Sequence, residues 1–363
     1  MTRHPRVVWF VDDRAPTGAT TMALRRAAVL RGSAEQTVLA LRRGPRTVPR
    51  PRAGTAWSAI AEPGGLTGEM AFARADVVVT TSELTLASAA ARATGRSRLV
   101  HVVHEPAVRA LARPRVARAL PLVDWLLVPA ATDLERVSAL AALPRDRIVA
   151  VDDFTLPGEA LLSSAAGRVV LAAGRIGSED PTVPDPTLDV VDGFVRAYRA
   201  HRDGALRGWQ LRLAGDGPGL PALLDHVDGL GAGGEVVVLG AQPGLAAHYL
   251  DAGVVVRVAL PEANGLSVVE GLAAGVPVVS SPASPAAVRH VRHGVNGTML
   301  EDIGPDGIAA AFVELADPQR RAAYAAAARA DRVGLLDPAG RAGVQDLLHT
   351  ILDHRPLAKG VTT

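Results

Sequence analysis

The sequence holds no cysteine and a single lysine, Lys359, among its 363 residues. The first absence excludes disulfides, thiolate nucleophiles and thiolate-ligated zinc or iron–sulfur centres. The second excludes a phosphate-loop lysine and leaves no Schiff base outside Lys359. Every other basic residue is an arginine, the bias expected of a GC-rich, bacterial type of genome. An excess of either charge is also missing: 39 basic residues against 37 acidic ones leave a net +2. Without a clustered basic excess, no nucleic-acid partner is expected. No stretch reaches the ~18 apolar residues that a membrane span needs. Met1–Arg6 leads straight into strand-like residues, without the apolar core of a signal peptide. The expectation is a soluble, cytoplasmic chain. Aromatics are scarce at 3%, which disfavours long sugar-stacking platforms, whereas 48% hydrophobic residues exclude disorder and supply more than one core.

Short, continuously apolar runs alternate with Ala-, Leu- and Arg-rich stretches of helical spacing. The runs in the first half are Arg6–Val11, Gln36–Leu41, Asp76–Thr80, Arg98–Val103, Val123–Val128 and Arg147–Val151. Those in the second are Arg168–Ala173, Gln210–Ala214, Glu235–Leu239, Gly253–Ala259, Val276–Ser280 and Gly297–Leu300. Apolar runs without alternation are parallel strands covered on both faces, and their alternation with helices predicts doubly wound α/β sheets. About six strands fall on either side of Thr155–Gly167, a stretch with Pro157, Gly158 and Gly167 that reads as a linker. The expected architecture is therefore two Rossmann-like domains, 1–155 and 168–340, facing a cleft, with ligands at the carboxyl ends of the strands. Residues 341–363 are expected to form a C-terminal helix and tail packing back on the first domain.

The most informative segment runs from Leu260 to Ser280. A strand ends near Ala259, a turn follows with Pro261 and Gly265, and a helix over 266–274 is stopped by Gly275 and Pro277. The backbone amides of Gly265, Leu266 and Ser267 then sit at a helix N-terminus, where the dipole and unpaired N–H groups favour an anion such as phosphate. Gly265 has no Cβ to keep a ligand off the backbone. Glu262 and Glu270 flank the same turn. Carboxylates repel phosphate, so these two are expected to grip hydroxyls, one of a sugar and the other of a ribose.

Glu262-Ala-Asn-Gly-Leu-Ser-Val-Val-Glu270-Gly-Leu-Ala-Ala-Gly-Val-Pro-Val-Val279, followed by Gly294-Val-Asn-Gly297, resembles the Glu-x7-Glu motif of the retaining family 4 glycosyltransferases with the GT-B fold. Ala173-Gly-Arg-Ile176 resembles that family's Gly-Arg-Leu, Gly215-Asp-Gly-Pro218 its Gly-Asp-Gly-Pro turn, and Val238-Leu-Gly240 the strand end that meets the nucleotide base. The resemblance covers nearly the whole chain. It implies a metal-independent, hexosyltransferase-type retaining enzyme with no cofactor, using a nucleotide-sugar donor such as a UDP- or GDP-sugar. Arg175 would contact the donor diphosphate, Glu270 the ribose, Glu262 the sugar, and His104, after the fourth strand, would orient the sugar. Gly18 stands in the family's paired-glycine turn, where phosphate or acceptor approaches. The acceptor hydroxyl would belong to a small molecule, a lipid-linked intermediate or a glycan. Two Arg-rich stretches, Leu41–Arg52 and Arg109–Arg118, are candidates for an anionic acceptor or peripheral membrane contact.

One departure matters. Asp180 stands where the family has a lysine against the donor phosphates, in a longer, proline-rich loop. Two unit charges 4 Å apart interact by about 4 kcal/mol at an effective dielectric near 20, so attraction there becomes repulsion. Either another arginine substitutes, or donor binding is weakened and the chain is a catalytically degenerate relative serving as a binding or partner subunit. Ala263 and Thr17 each replace a family glycine, a smaller change. Other patterns carry less. Gly215-Asp-Gly-Pro-Gly-Leu220 lacks the third glycine of a dinucleotide fingerprint. Arg289-His-Val-Arg-His293 has no carboxylate at ligand spacing and reads as a solvated helix end. Asp12-Asp13 and Asp152-Asp153 read as strand-end turns, and no Gly-x-Ser-x-Gly elbow marks a serine hydrolase.

Overall fold

A computed structural model describes residues 3–12, 17–41, 57–61, 66–92, 96–104, 107–129, 132, 134–152, 154–155, 161–177, 185–242, 244–258, 265–336 and 339–354. It divides into two compact units, Met1–Asp152 with Pro338–Thr363, and Asp153–Asp337.

In chain order the first unit contains β1 (Arg6–Val11), α1 (Gly18–Val29), β2 (Glu35–Ala40), β3 (Trp57–Ala61), α2 (Leu66–Arg74), β4 (Val77–Thr80), α3 (Glu83–Ala90) and β5 (Arg98–Val102). There follow α4 (Ala107–Leu111), α5 (Pro114–Ala119), β6 (Trp125–Pro129), α6 (Leu134–Ala141) and β7 (Ile148–Val151). The strands form a parallel sheet of order β3-β2-β1-β4-β5-β6-β7. Successive side chains of a strand point to opposite faces. Val8 and Phe10 of β1 accordingly join one core with Leu99 and Leu126, and Val7, Trp9 and Val11 join another with Val100 and Leu127. Strand β3 falls within none of the apolar runs. It carries one β-branched residue, Ile60, and takes its place at the sheet edge through its pairing with β2.

The second unit contains β8 (Val169–Ala173), α7 (Pro186–His201), β9 (Gln210–Ala214), α8 (Leu220–Gly229), β10 (Val236–Gly240), α9 (Ala246–Asp251) and β11 (Val254–Arg257). It continues with α10 (Leu266–Ala273), β12 (Val278–Ser280), α11 (Pro285–His290), β13 (Gly297–Met299), α12 (Pro305–Ala316) and α13 (Pro318–Leu336). Its parallel sheet has the order β10-β9-β8-β11-β12-β13, again with a core on each face. Helix α13 starts as its sequence dictates: Asp317 Oδ1 accepts from the amides of Gln319 at 2.7 Å and Arg320 at 3.2 Å, and Pro318 follows the cap. These backbone bonds hold the Asp317 carboxyl below its usual range.

The stretch that reads as a linker is partly built into this unit. Ser163 and Ala165 are buried, the buried Arg321 gives its Nε to Ala165 O at 2.9 Å, and Arg329 Nη2 gives to Ser163 O at 2.9 Å. Arg321 also lies over the Trp209 ring, 5.0 Å from its centroid. After α13 the chain returns to the first unit as α14 (Ala339–Asp353). Leu348 and Ile351 of α14 join the core that holds Val7, Trp9 and Trp125. Arg98 Nη2 gives to Leu352 O and His354 O, satisfying carbonyls that a helix C-terminus leaves without partners. Among the described residues no helix is long and apolar enough to cross a membrane.

Candidate donor site at the switch point of the second unit

In the second unit the chain works outward from β8 to β10 and then starts again on the other side with β11. The reversal lies between β8 and β11. In an open parallel sheet the crevice outside the carboxyl ends of those two strands is the expected ligand site. Arg175 leaves β8 at this point, Arg257 ends β11, and α10 begins eight residues beyond Val258.

The path of the loop that carries Arg175 is set by backbone contacts that only glycines permit. Gly174 N donates to Ala214 O at 3.0 Å, Ile176 N to Asp216 O at 3.1 Å, and Gly219 N to Ile176 O at 3.1 Å. A Cβ on Gly215 would stand 1.8 Å from Gly174 O, and one on Gly217, at φ +154°, 2.1 Å from Ile176 O. The Gly215-Asp-Gly-Pro-Gly219 run is therefore a clamp on the β8 loop. Its glycines hold Gly174 and Arg175 at the strand end with the Arg175 side chain exposed. Gly215 N also donates to Gly240 O at 2.9 Å, tying in the end of β10. Gly240 sits at φ +66° with open space where a Cβ would be, and the loop beyond it is held by Gln242 Nε2 donating to Leu239 O at 2.7 Å.

Gly265 caps α10 in the left-handed region, at φ +107° and ψ +47°, without a side-chain cap. Among the described residues, the amides of Leu266 and Ser267 in the first turn thus have no side-chain cap of the kind a Ser or Asp supplies. Glu270, one turn on and half-buried, accepts at Oε2 from the hydroxyl of the buried Tyr249 at 2.8 Å. Glu262 and Asp180 lie outside the described residues, as do Asp13, Pro16, Glu105, Ala263 and residues 42–52 of the Arg-rich stretch.

Two sequence candidates fall in the first unit. Gly18 opens α1 after Thr17, whose hydroxyl accepts from Thr20 N at 3.2 Å; a Cβ at Gly18 would meet nothing within 4 Å. This turn lies at the first unit's own switch point, between β1 and β4, where Ser82 Oγ donates to Asp12 Oδ1 at 2.7 Å. His104 follows β5. Burial, together with the charges of Arg26 and His101, holds its imidazole down at about 3, so it is neutral near pH 7. His101, fully inside the sheet, lies 2.9 Å by Nδ1 from Thr80 Oγ1, and burial holds it at about 4. It is a structural histidine.

The structure thus places Arg175, Gly240, Gly265, Leu266, Ser267 and Glu270 at the carboxyl end of one sheet, and Gly18 and His104 in the other unit. The remaining patterns resolve locally. Arg292 pairs with Asp331, and His293 Nδ1 accepts from Met299 N at 3.2 Å. Arg113 and Arg115 flank Glu83 at 4.0 and 3.7 Å. Sequence reasoning missed Tyr249, which carried no signal.

Two doubly wound parallel units in one chain are the GT-B fold. Residues 165–317 match the family model described as glycosyl transferases group 1. Over 241 residues the chain is 30% identical to D-inositol 3-phosphate glycosyltransferase of Thermobispora bispora, which covers 62% of this chain and 54% of that one. Over 247 residues it is 26% identical to an exopolysaccharide phosphotransferase of Streptomyces coelicolor, covering 66% of this chain and 25% of that one. The chain thus spans about half and about a quarter of the curated relatives it matches. The crystal structure of HepE of Anabaena in complex with UDP-glucose superposes with a TM-score of 0.76 at 16% identity, over 96% of this chain and 100% of that chain.

Proposed function

We propose that the protein is a retaining, metal-independent glycosyltransferase of the family 4 type, moving a hexose from a nucleoside diphosphate sugar to an acceptor hydroxyl. The observation that carries this reading is the switch point of the second unit. There an exposed arginine, an uncapped helix N-terminus and a tyrosine-held carboxylate share one sheet end. The UDP-glucose in the HepE structure and the glycosyltransferase name of the 30% relative support it.

In this reading the diphosphate leaving group lies against Arg175 and the amides at Gly265–Ser267. These groups are fixed before the reaction and stabilise the charge as the glycosidic bond breaks. Glu270 accepts from the ribose hydroxyls, Glu262 from those of the sugar, and the loop after Gly240 meets the base. His104, neutral, gives or takes a hydrogen bond with the sugar, and Gly18 leaves room for phosphate or acceptor. The scheme calls for no metal. The acceptor hydroxyl belongs to a small molecule, a lipid-linked intermediate or a glycan, and the Arg-rich stretches of the first unit suit an anionic acceptor or a membrane surface.

The first test is thermal stability against UDP, GDP, ADP and their sugars. A ligand at 100 times its Kd adds about 2.7 kcal/mol to the state that binds it, enough to move Tm by several degrees. A shift with one base establishes the donor, and transfer is then assayed with that sugar. Glu262→Ala and Glu270→Ala are each expected to cut transfer at least a hundredfold while leaving Tm within a few degrees of wild type. Wild-type turnover in both variants would overturn the site assignment, and no shift with any nucleotide would overturn the donor site.

A further inference from the structure

Helix α9 has six residues and begins at Leu245, which gives it no side-chain cap. A helix that short does not hold itself in water, so its place is set by what its side chains touch. Two neighbours on it, His248 and Tyr249, point about 100° apart, as adjacent residues of a helix do. Tyr249 enters the core that also holds Leu171 and Ala214, and its hydroxyl donates to Oε2 of Glu270 on α10 at 2.8 Å. His248, half-buried, turns to the other side, where its Nε2 lies 3.3 Å from Oε1 of Gln242.

Gln242 belongs to the loop after β10. Gly240 turns the chain there at φ +66°, and its carbonyl accepts from Gly215 N at 2.9 Å. Gln242 Nε2 donates to Leu239 O at 2.7 Å, closing the turn with a side chain. That bond decides which way the amide faces, because the reverse orientation would set two acceptor oxygens against each other. Oε1 therefore points at His248, and since it can only accept, His248 Nε2 carries the proton between them. Leu239, Gln242 and His248 form one run of hydrogen bonds from the end of β10 to α9. A recognition loop discriminates between ligands only when supporting contacts hold it to within about 0.5 Å, and this run is such a support.

We infer that α9 is a strut shared by both halves of the nucleoside site, and that His248 is the positioning residue for base selection. Through Gln242 it fixes the loop set against the base, while Tyr249 fixes the carboxylate set against the ribose. The inference rests on the donor-site reading above and deepens it. His248 itself touches no ligand. Loss of one hydrogen bond of this kind changes an equilibrium constant severalfold, up to about tenfold.

The test is titration of wild type, His248→Leu and His248→Gln with UDP, GDP and ADP. The quantity read is the ratio of Kd between the nucleotide that binds wild type best and the next best. In His248→Leu, which has no donor, this ratio is expected to shrink severalfold, mainly because the preferred nucleotide binds more weakly. His248→Gln sets an amide N–H near the position of the lost Nε2–H and is expected to recover most of the ratio. Equal weakening of all three nucleotides in His248→Leu, or no change in any, overturns the inference and leaves the donor site standing. A His248→Gln protein that behaves as His248→Leu does also overturns it, because the hydrogen bond is then not the cause. Wild type that binds all three nucleotides alike overturns it as well, since no base is being read. Should His248→Leu fail to fold, Gln242→Met cuts the same link from the loop side, and an unchanged ratio there overturns the inference. Wild type that binds none of the three overturns the donor site and the inference with it.

Discussion

A carboxylate on a helix is useful to a ligand only if its rotamer is held, and for Glu270 the holder is Tyr249. Its hydroxyl, 2.8 Å from Oε2, comes from α9 and is set by a ring buried to 5% exposure. Tyr249→Phe keeps the ring packing and removes the donor. A hydrogen bond to a charged group contributes about 1.5–3 kcal/mol to the fold, so Tm is expected to fall by several degrees, and the KM for the sugar donor to rise severalfold as the Glu270 rotamer is released. Unchanged KM would make the contact incidental. His101 gives a prediction of a different sign and place. Its folded imidazole stays neutral down to about 4, whereas the unfolded chain takes up a proton below about 6.5. Stability is therefore intact above 6.5 and is lost as pH falls toward 4, by about 1.4 kcal/mol per unit across that window. His101→Asn is expected to flatten the acid limb of a stability-against-pH curve; superimposable limbs would show that another group dominates. At this scale the sequence revealed what a motif spells out, Glu270 and Gly265 among them. The Tyr249 contact was illegible because it depends on which elements meet across the sheet.

The loops at the ends of β8 and β9 interlock through backbone, and the glycines differ in why they are needed. Gly217→Ala places a methyl 2.1 Å from Ile176 O and Gly215→Ala places one 1.8 Å from Gly174 O, so one loop must shift in each case. Gly240→Ala meets open space and carries only the strain of φ +66°, about 1–2 kcal/mol. The first two are expected to weaken nucleotide binding as well as stability, since Arg175 moves with its loop, while Gly240→Ala costs mainly stability. Equal effects of all three on nucleotide Kd would contradict the clamp. The strands themselves were readable to within a residue or two because parallel strands buried on both faces are unbroken apolar runs. The exception, β3, is Trp57-Ser-Ala-Ile-Ala61. An edge strand faces less core, needs less apolar sequence, and here follows a stretch of Arg and Pro that hides its start.

The first unit is discontinuous in sequence. The chain leaves it at Asp152, builds all of the second unit, and re-enters at Pro338 to lay α14 against the β1 sheet. Strand–helix alternation announces two doubly wound units, but where one ends is a question of tertiary packing. Buried arginines such as Arg321 draw residues 161–167 of the apparent linker into the second unit. The consequence is that a residue close to the end of the sequence stabilises strands at its start. Leu348 is 4% exposed among Val7, Trp9 and Trp125, and Leu348→Ala leaves a cavity there. Such truncations cost about 2–5 kcal/mol. Hydrogen exchange on the intact chain is the direct measurement. Protection of the β1 and β4 amides is expected to fall by two orders of magnitude or more, while β8 and β11 keep theirs, because their core contains no α14 residue. A uniform loss across both sheets would mean that the units unfold as one. A loss confined to β8 and β11 would contradict the placement of α14.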